Sequence, residues 1–224
     1  MENIRVDLKN YTPLKIFIDS IRTCWDSHEK CDSSENSIGI NDVELMDRIV
    51  NKHKHHSTME HIFYNFEING ISRLCLQELA RHRMASFSVK STRYTLRELK
   101  ICGSFIAGRK DAEIATLTYN FSRAEKFIVL TGDKEVDCAS IENLENLRKM
   151  VALNKSNDIV KYCLPECYRT SLRFSINARS LRNFLELRSS NSAHFEIRHL
   201  AKLIYNSLPS EHKEHLYKNI FKED

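Results

Sequence analysis

Every second residue from Ile62 to Ile68 is apolar, so Ile62, Tyr64, Phe66 and Ile68 share one face and predict a half-buried strand. The same alternation returns from Tyr168 to Ile176 and, more briefly, from Ile4 to Leu8 and in Ser86-Phe87-Ser88-Val89. Elsewhere the apolar residues fall at helical spacing. Pro13, well tolerated in a first turn, opens a helix to about Trp25. Asn41 with Glu44 three residues on reads as a capping box for a helix to about Lys54. Asn69-Gly70 is expected to turn the chain into a helix from Ser72 to Arg83, carried by Leu74, Cys75, Leu79 and His82. A long helix is predicted from Asp111 to about Leu130 on Ile114, Leu117, Phe121, Ala124 and Ile128, and a second from about Val136 to Leu153. Asp158 to Cys163 supplies a helical turn or two, Asn177 to Arg188 and Ala193 to Leu208 are helical, and Pro209-Ser210 restarts a short helix to Phe221. The polar run Asp26 to Gly39 reads as a surface loop and Leu96 to Asp111 as irregular. The expectation is one α+β domain over residues 1–224, a small antiparallel sheet flanked by helices.

Composition narrows the setting. A chain of 224 residues can bury a core without disulfides or structural metal. No apolar run approaches membrane-spanning length, and Met1-Glu2-Asn3-Ile4-Arg5-Val6-Asp7 lacks the apolar core of a signal peptide, so a cytoplasmic protein with no membrane partner is expected. The seven cysteines form no Cys-x-x-Cys pair, which argues against a disulfide framework and a zinc site and for reduced thiols. A formal charge of +4 is too mild to indicate nucleic acid by itself, but it suits a protein that gathers small anions.

Candidate chemistry concentrates between Arg81 and Tyr94, where Arg81, His82, Arg83, Lys90 and Arg93 alternate with Ser86, Ser88 and Ser91. Guanidinium forks and hydroxyls at this density suit phosphate and carbonyl-rich rings; a capped helix end with ordinary surface arginines is the plainer alternative. His53, His55, His56 and His61 invite a metal, yet nothing nearby supplies a third ligand or a His-Glu-x-x-His helix, and no metal is expected. Gly103 to Lys110 nearly matches a phosphate-binding loop, but Arg109 holds the lysine position. No Gly-x-Gly-x-x-Gly occurs either. A dinucleotide here would be held by arginine, serine and asparagine side chains.

Arg81-His82-Arg83, followed after seven residues by Ser91, resembles the signature of the flavin-dependent thymidylate synthases. His55 to His61 resembles that family's upstream flavin-binding segment and Ile176 to Arg188 its downstream one, so the resemblance spans roughly Tyr11 to Ile204. It implies FAD as cofactor, with His55 against the isoalloxazine, a Ser57 hydrogen bond, and contacts from Arg81, His82, Arg83, Met84, Asn177, Arg179 and Asn183. It implies dUMP as substrate, with Ser91 and Arg93 on the phosphate, and Arg188 as the catalytic residue facing the uracil carbonyl. Glu78, Arg81, Ser88 and Lys161 carry over as further substrate contacts. It further implies 5,10-methylenetetrahydrofolate as carbon donor, NADPH as reductant, a homotetramer with shared active sites, and no nucleic-acid partner. The chain departs from the family pattern at Ser88-Val89, where members often have Asn-Glu; at Glu78, glutamine in some; at Lys161 for arginine; and at Ser192 for histidine.

Overall fold

The computed structural model describes residues 3–34, 37–108, 117–218 and 220–221. Strand β1 (Arg5–Tyr11) leads through helix α1 (Leu14–Cys24) to α2 (Ile40–Asp47), and β2 (Phe63–Ser72) runs into α3 (Arg73–Ala80) and β3 (Ala85–Val89). The short α4 (Thr92–Thr95) precedes β4 (Ile106–Gly108), β5 (Leu117–Tyr119), α5 (Phe121–Ala124) and the long α6 (Lys134–Ala152). Then come α7 (Asn157–Val160), β6 (Arg169–Asn177), α8 (Ala178–Arg188), α9 (Phe195–Ser207) and α10 (Ser210–Leu216). This is the α+β architecture expected, with a four-stranded sheet in the order β1-β2-β6-β3.

Contacts divide the chain into two compact units. The sheet unit comprises residues 5–68, 78–88 and 173–224; the α6 unit comprises 1–4, 69–77 and 89–172. In the sheet unit, the alternation in the sequence buries Tyr64, Phe66 and Ile68 on β2 and Phe174 and Ile176 on β6. Phe174 stacks on Phe66 and tilts against Phe87 of β3, with centroids 6.2 and 5.3 Å apart. Phe17, Ile18 and Ile21 of α1, Leu181, Phe184 and Leu185 of α8, and Ile197, Leu200 and Ile204 of α9 are likewise fully or almost fully buried. Each large side chain so buried is worth about 1.5–3 kcal/mol relative to exposure. The α6 unit has its own core, in which Ile141, Leu144 and Leu147 of α6 meet Leu96, Leu99, Phe105, Ala124, Ile128 and Tyr168.

Three sequence expectations need correction. The capping box at Asn41 and Glu44 does not form: α2 is already running at Ile40, and its N-terminal N–H groups are capped from the preceding loop, where the Asp32 carboxylate accepts from the N–H groups of Asn41 and Asp42. Gly39 permits this approach, since a Cβ there would lie 2.1 Å from Asp32 Cγ. Asn69-Gly70 does not turn the chain, because Gly70 takes φ +83° within β2 and the strand continues to Ser72. A Cβ at Gly70 would meet the Asn3 carbonyl at 2.4 Å, so any side chain would be excluded. The long helix from Asp111 is not continuous. Leu117–Tyr119 instead pairs antiparallel with Ile106–Gly108, and Asn120 caps the single turn of α5. Threonine and tyrosine suit a paired strand better than a helix interior, and a capping asparagine starts a helix afresh. Ile114, Arg109, Lys110 and Asp111 lie outside the described residues, and with them most of that expected helix start and the end of the loop-like Gly103 to Lys110 run.

Buried His212 of α10 links this core to pH. Its Nδ1 shares a hydrogen bond of 2.8 Å with the Tyr64 hydroxyl, and the rings of Tyr11 and Tyr64 meet it edge-on. Burial, helped by nearby His215, holds its pKa down to about 4. The neutral ring is therefore the native form. Its contribution is complete above the unfolded value near 6.5 and declines as pH falls from there towards 4, amounting to about 2 kcal/mol lost by pH 5. Urea unfolding at pH 7 and pH 5 should show this loss, and His212→Phe should flatten that slope. An unchanged slope in the variant would assign the acid sensitivity elsewhere.

Candidate functional site

In the sheet unit, a cavity of about 640 Å³ is walled by Arg81, His82, Arg83 and Met84 from the turn after α3, by Asn177, Arg179, Ser180, Asn183, Leu187 and Arg188 from α8, and by Glu60. The turn forms because the N–H groups of Arg81 and His82 bond back to the carbonyls of Glu78 and Leu79, at 3.4 and 3.1 Å. This sends His82 inward, edge-on to Phe184 at 4.9 Å, and leaves Arg81 and Arg83 exposed on either side. The central imidazole is thus an anchor between two cationic arms.

Helix α8 brings the other wall. Asn177 is its N-cap, its Oδ1 accepting from the Ser180 N–H at 2.8 Å, so its amide N–H groups remain for a ligand. Further along, Asn183 and Leu187 face the same cavity, as expected for residues four apart on a helix. Arg179 is held by Glu60 at 2.6 Å. Arg188, at the end of α8, is fixed from two sides: its Nη1 lies 3.0 Å from a Glu78 carboxylate oxygen, and its Nε donates to His82 Nε2 at 3.2 Å. To accept that bond His82 must be neutral, with its proton on Nδ1. Burial first, and then the Arg188 charge, lower the His82 pKa and favour that form, against the raising effect of Glu78.

The α6 unit holds a second cluster. Ser91 caps α4, its Oγ accepting from the Arg93 N–H. The Arg93 guanidinium meets both oxygens of Asp158, Nη2 donating to Oδ2 at 3.1 Å and Nε lying 2.9 Å from Oδ1, and Lys161 Nζ reaches the same Oδ1 at 3.3 Å. The bonds from Lys161 and Arg93 hold the Asp158 carboxyl below its usual pKa.

Of the residues singled out from the sequence, Arg81, His82, Arg83, Met84, Asn177, Arg179, Asn183 and Arg188 therefore share one cavity, with Glu78 behind Arg188. Ser91, Arg93 and Lys161 gather around Asp158. His55 is exposed just before the short 3-10 segment His56–His61 and Ser57 is exposed within it; Glu60 of that segment lines the cavity, and Ser88 is exposed on β3. Sequence reasoning missed Glu60, Ser180, Leu187 and Asp158. Glu60, Ser180 and Leu187 lie inside the segments His55 to His61 and Ile176 to Arg188; no local pattern marks Asp158 as the partner of Arg93, 65 residues away.

This α+β protein lines the cavity with four arginines, two asparagines and a serine, a side-chain donor set of the class suited to the phosphates and carbonyl edges of a nucleotide. The model of the family described as thymidylate synthase complementing protein matches residues 7–212. Flavin-dependent thymidylate synthases of Wolinella succinogenes and Campylobacter jejuni are 52% and 51% identical, over 93% and 97% of this chain and 95% and 100% of theirs. The crystal structure of the ThyX protein of Helicobacter pylori with FAD and dUMP is similar at a TM-score of 0.86 and 47% identity, covering 98% of this chain and all of that one. The chain belongs to the flavin-dependent thymidylate synthase family.

Proposed function

We propose that the protein binds FAD in the cavity of the sheet unit and converts dUMP to dTMP, taking the carbon from 5,10-methylenetetrahydrofolate and the reducing equivalents from NADPH. The observation that carries this reading is the convergence of two segments from distant parts of the chain, Arg81–Met84 and Asn177–Arg188, on one cavity. The donor set fits FAD: guanidinium forks for its phosphates, asparagine amides for carbonyl and ring-nitrogen edges, and the exposed Met84 and Leu187 for an apolar ring face. Bound flavin, once reduced, supplies the hydride that completes the methyl group.

The chain's own share is binding, orientation and charge stabilisation. Arg188, braced by Glu78 and His82, would face the uracil carbonyl and stabilise negative charge developing on the ring. Glu78 and Ser88 would border the nucleotide with Arg81, and Ser91, Arg93 and Lys161 would meet its phosphate. His55 and Ser57 are assigned to the flavin by the family resemblance. The reading requires no cysteine nucleophile, because reduced flavin would deliver hydride to the ring directly; Cys75 is buried. We further propose a cytoplasmic homotetramer whose active sites draw residues from more than one subunit. No helix among the described residues is long and apolar enough to cross a membrane.

The visible spectrum of the purified protein, recorded with and without dUMP, tests the reading. Flavin bands that shift on adding dUMP, together with tritium release from 5-labelled dUMP dependent on NADPH and methylenetetrahydrofolate, are expected. A colourless protein that gains no flavin on incubation with FAD would refute it. Flavin binding without tritium release would indicate a different flavin reaction.

A further inference from the structure

We infer that Asp158 is a positioning residue for the nucleotide phosphate: it braces Arg93 and Lys161 so that their outward-facing donors are ordered before the ligand arrives. The inference rests on the proposed reading in which Arg93 and Lys161 meet the phosphate of dUMP.

A guanidinium has two edges that can hold an anion bidentately. On Arg93 the inner edge, Nε with Nη2, is taken by the two carboxylate oxygens of Asp158. Among the described residues, no hydrogen bond of Nη1 is found, so the outer end of the fork remains for a second anion. The backbone of Arg93 is pinned as well. Its N–H bonds to Ser91 Oγ at 3.3 Å, and its carbonyl accepts from Asn157 Nδ2 at 2.7 Å, the residue next to Asp158. Lys161 Nζ leans on the same Oδ1, which draws two cations to one carboxylate and leaves an excess of one positive charge. Lys90, three residues before Arg93, is already paired with Glu98 at 3.4 Å.

Stability does not explain this arrangement. The Arg93 and Asp158 side chains are 58% and 48% exposed, and exposed pairs of this kind contribute little to folding. An exposed arginine is, however, costly to order when a ligand must do the ordering, and a carboxylate anchor meets that cost in advance. The competing possibility is that Asp158 occupies the phosphate position and must be displaced. The two differ in sign: losing the brace weakens nucleotide binding, whereas losing a competitor strengthens it.

Calorimetric titration of the FAD-bound protein with dUMP and with deoxyuridine separates them. Asp158→Ala is expected to weaken dUMP about tenfold, a change of about 1.4 kcal/mol, and to alter deoxyuridine less than about twofold; Asp158→Asn, which keeps one acceptor, should fall between it and the parent. Arg93→Ala should weaken dUMP about tenfold to a hundredfold with little effect on deoxyuridine. Adding Asp158→Ala to Arg93→Ala should then cost much less than Asp158→Ala alone. Unchanged or tighter dUMP binding in Asp158→Ala, or an equal loss for nucleoside and nucleotide, would overturn the inference while leaving Arg93 on the phosphate. No nucleotide-specific loss in Arg93→Ala would remove the phosphate assignment, and the inference with it.

Discussion

Arg188→Lys is expected to leave dUMP bound within about threefold of the parent while lowering turnover by about a hundredfold or more, the loss typical of removing a donor aimed at developing negative charge. The reason lies in how the arginine is held. Its guanidinium spends Nη1 on Glu78 and Nε on His82. That leaves Nη2 in a fixed plane, where the proposed reading has it meet the uracil carbonyl. A lysine keeps the charge but has a single ammonium, which cannot satisfy both partners and still present a donor in that plane. Neutral His82 would then lose the bond to its Nε2, and the Glu78 carboxylate would keep the ammonium to itself. Steady-state dTMP formation, set beside calorimetric dUMP affinity, reads the two effects separately. A variant turning over at close to the parent rate would reduce Arg188 to an ordinary helix-end arginine.

Asp42→Ala should produce the largest loss of stability, about 3–5 kcal/mol, because it strands a buried guanidinium. Asp42 has no exposed surface, and its carboxylate accepts from Arg22 Nε and Nη2 at 3.0 and 2.6 Å, from the Cys31 thiol at 3.2 Å, and from the N–H groups of Asp32 and Ser33 at 3.2 and 3.1 Å. Burial alone would raise its pKa, but hydrogen bonds from Ser33, Arg22 and Cys31 outweigh it and hold the group at about 2. Its stabilisation is therefore present above the unfolded carboxyl range and lost only as pH falls below about 4 towards 2. Removing the carboxylate also frees the Asp32 and Ser33 amides, and with them the Asp32 cap on α2. Denaturant titration at pH 7 measures the loss. A variant within about 1 kcal/mol of the parent would show that water or another acceptor reaches Arg22.

How legible each feature was depended on the range of the interaction that makes it. The face of β2 carrying Tyr64, Phe66 and Ile68 was readable because a period of two dictates burial locally. Helix α8 was equally readable, since Asn177 is both the last strand residue and a cap with its partner three residues away. The cap of α2 was misread because its acceptor, Asp32, sits in a loop and reaches the helix through a close approach that only Gly39 allows. The break in the helix expected from Asp111 was misread for a similar reason. An apolar stripe at helical spacing carries no information about a strand partner such as Ile106–Gly108.

The sequence by itself determined the four strands of the larger sheet and most helices, the cationic stretch from Arg81 to Arg93, and through its motifs the resemblance that membership of the family bears out. These follow from side-chain periodicity and from residue types at fixed spacing, which no tertiary contact needs to supply. Only the tertiary structure decided that His82 turns inward as the anchor of Arg188, that Glu60 holds Arg179, and that Asp158 holds Arg93. Those partners stand 106, 119 and 65 residues apart. Hydrogen bonds act over about 3 Å, so which carboxylate or imidazole meets which arginine is fixed by how the chain folds back on itself.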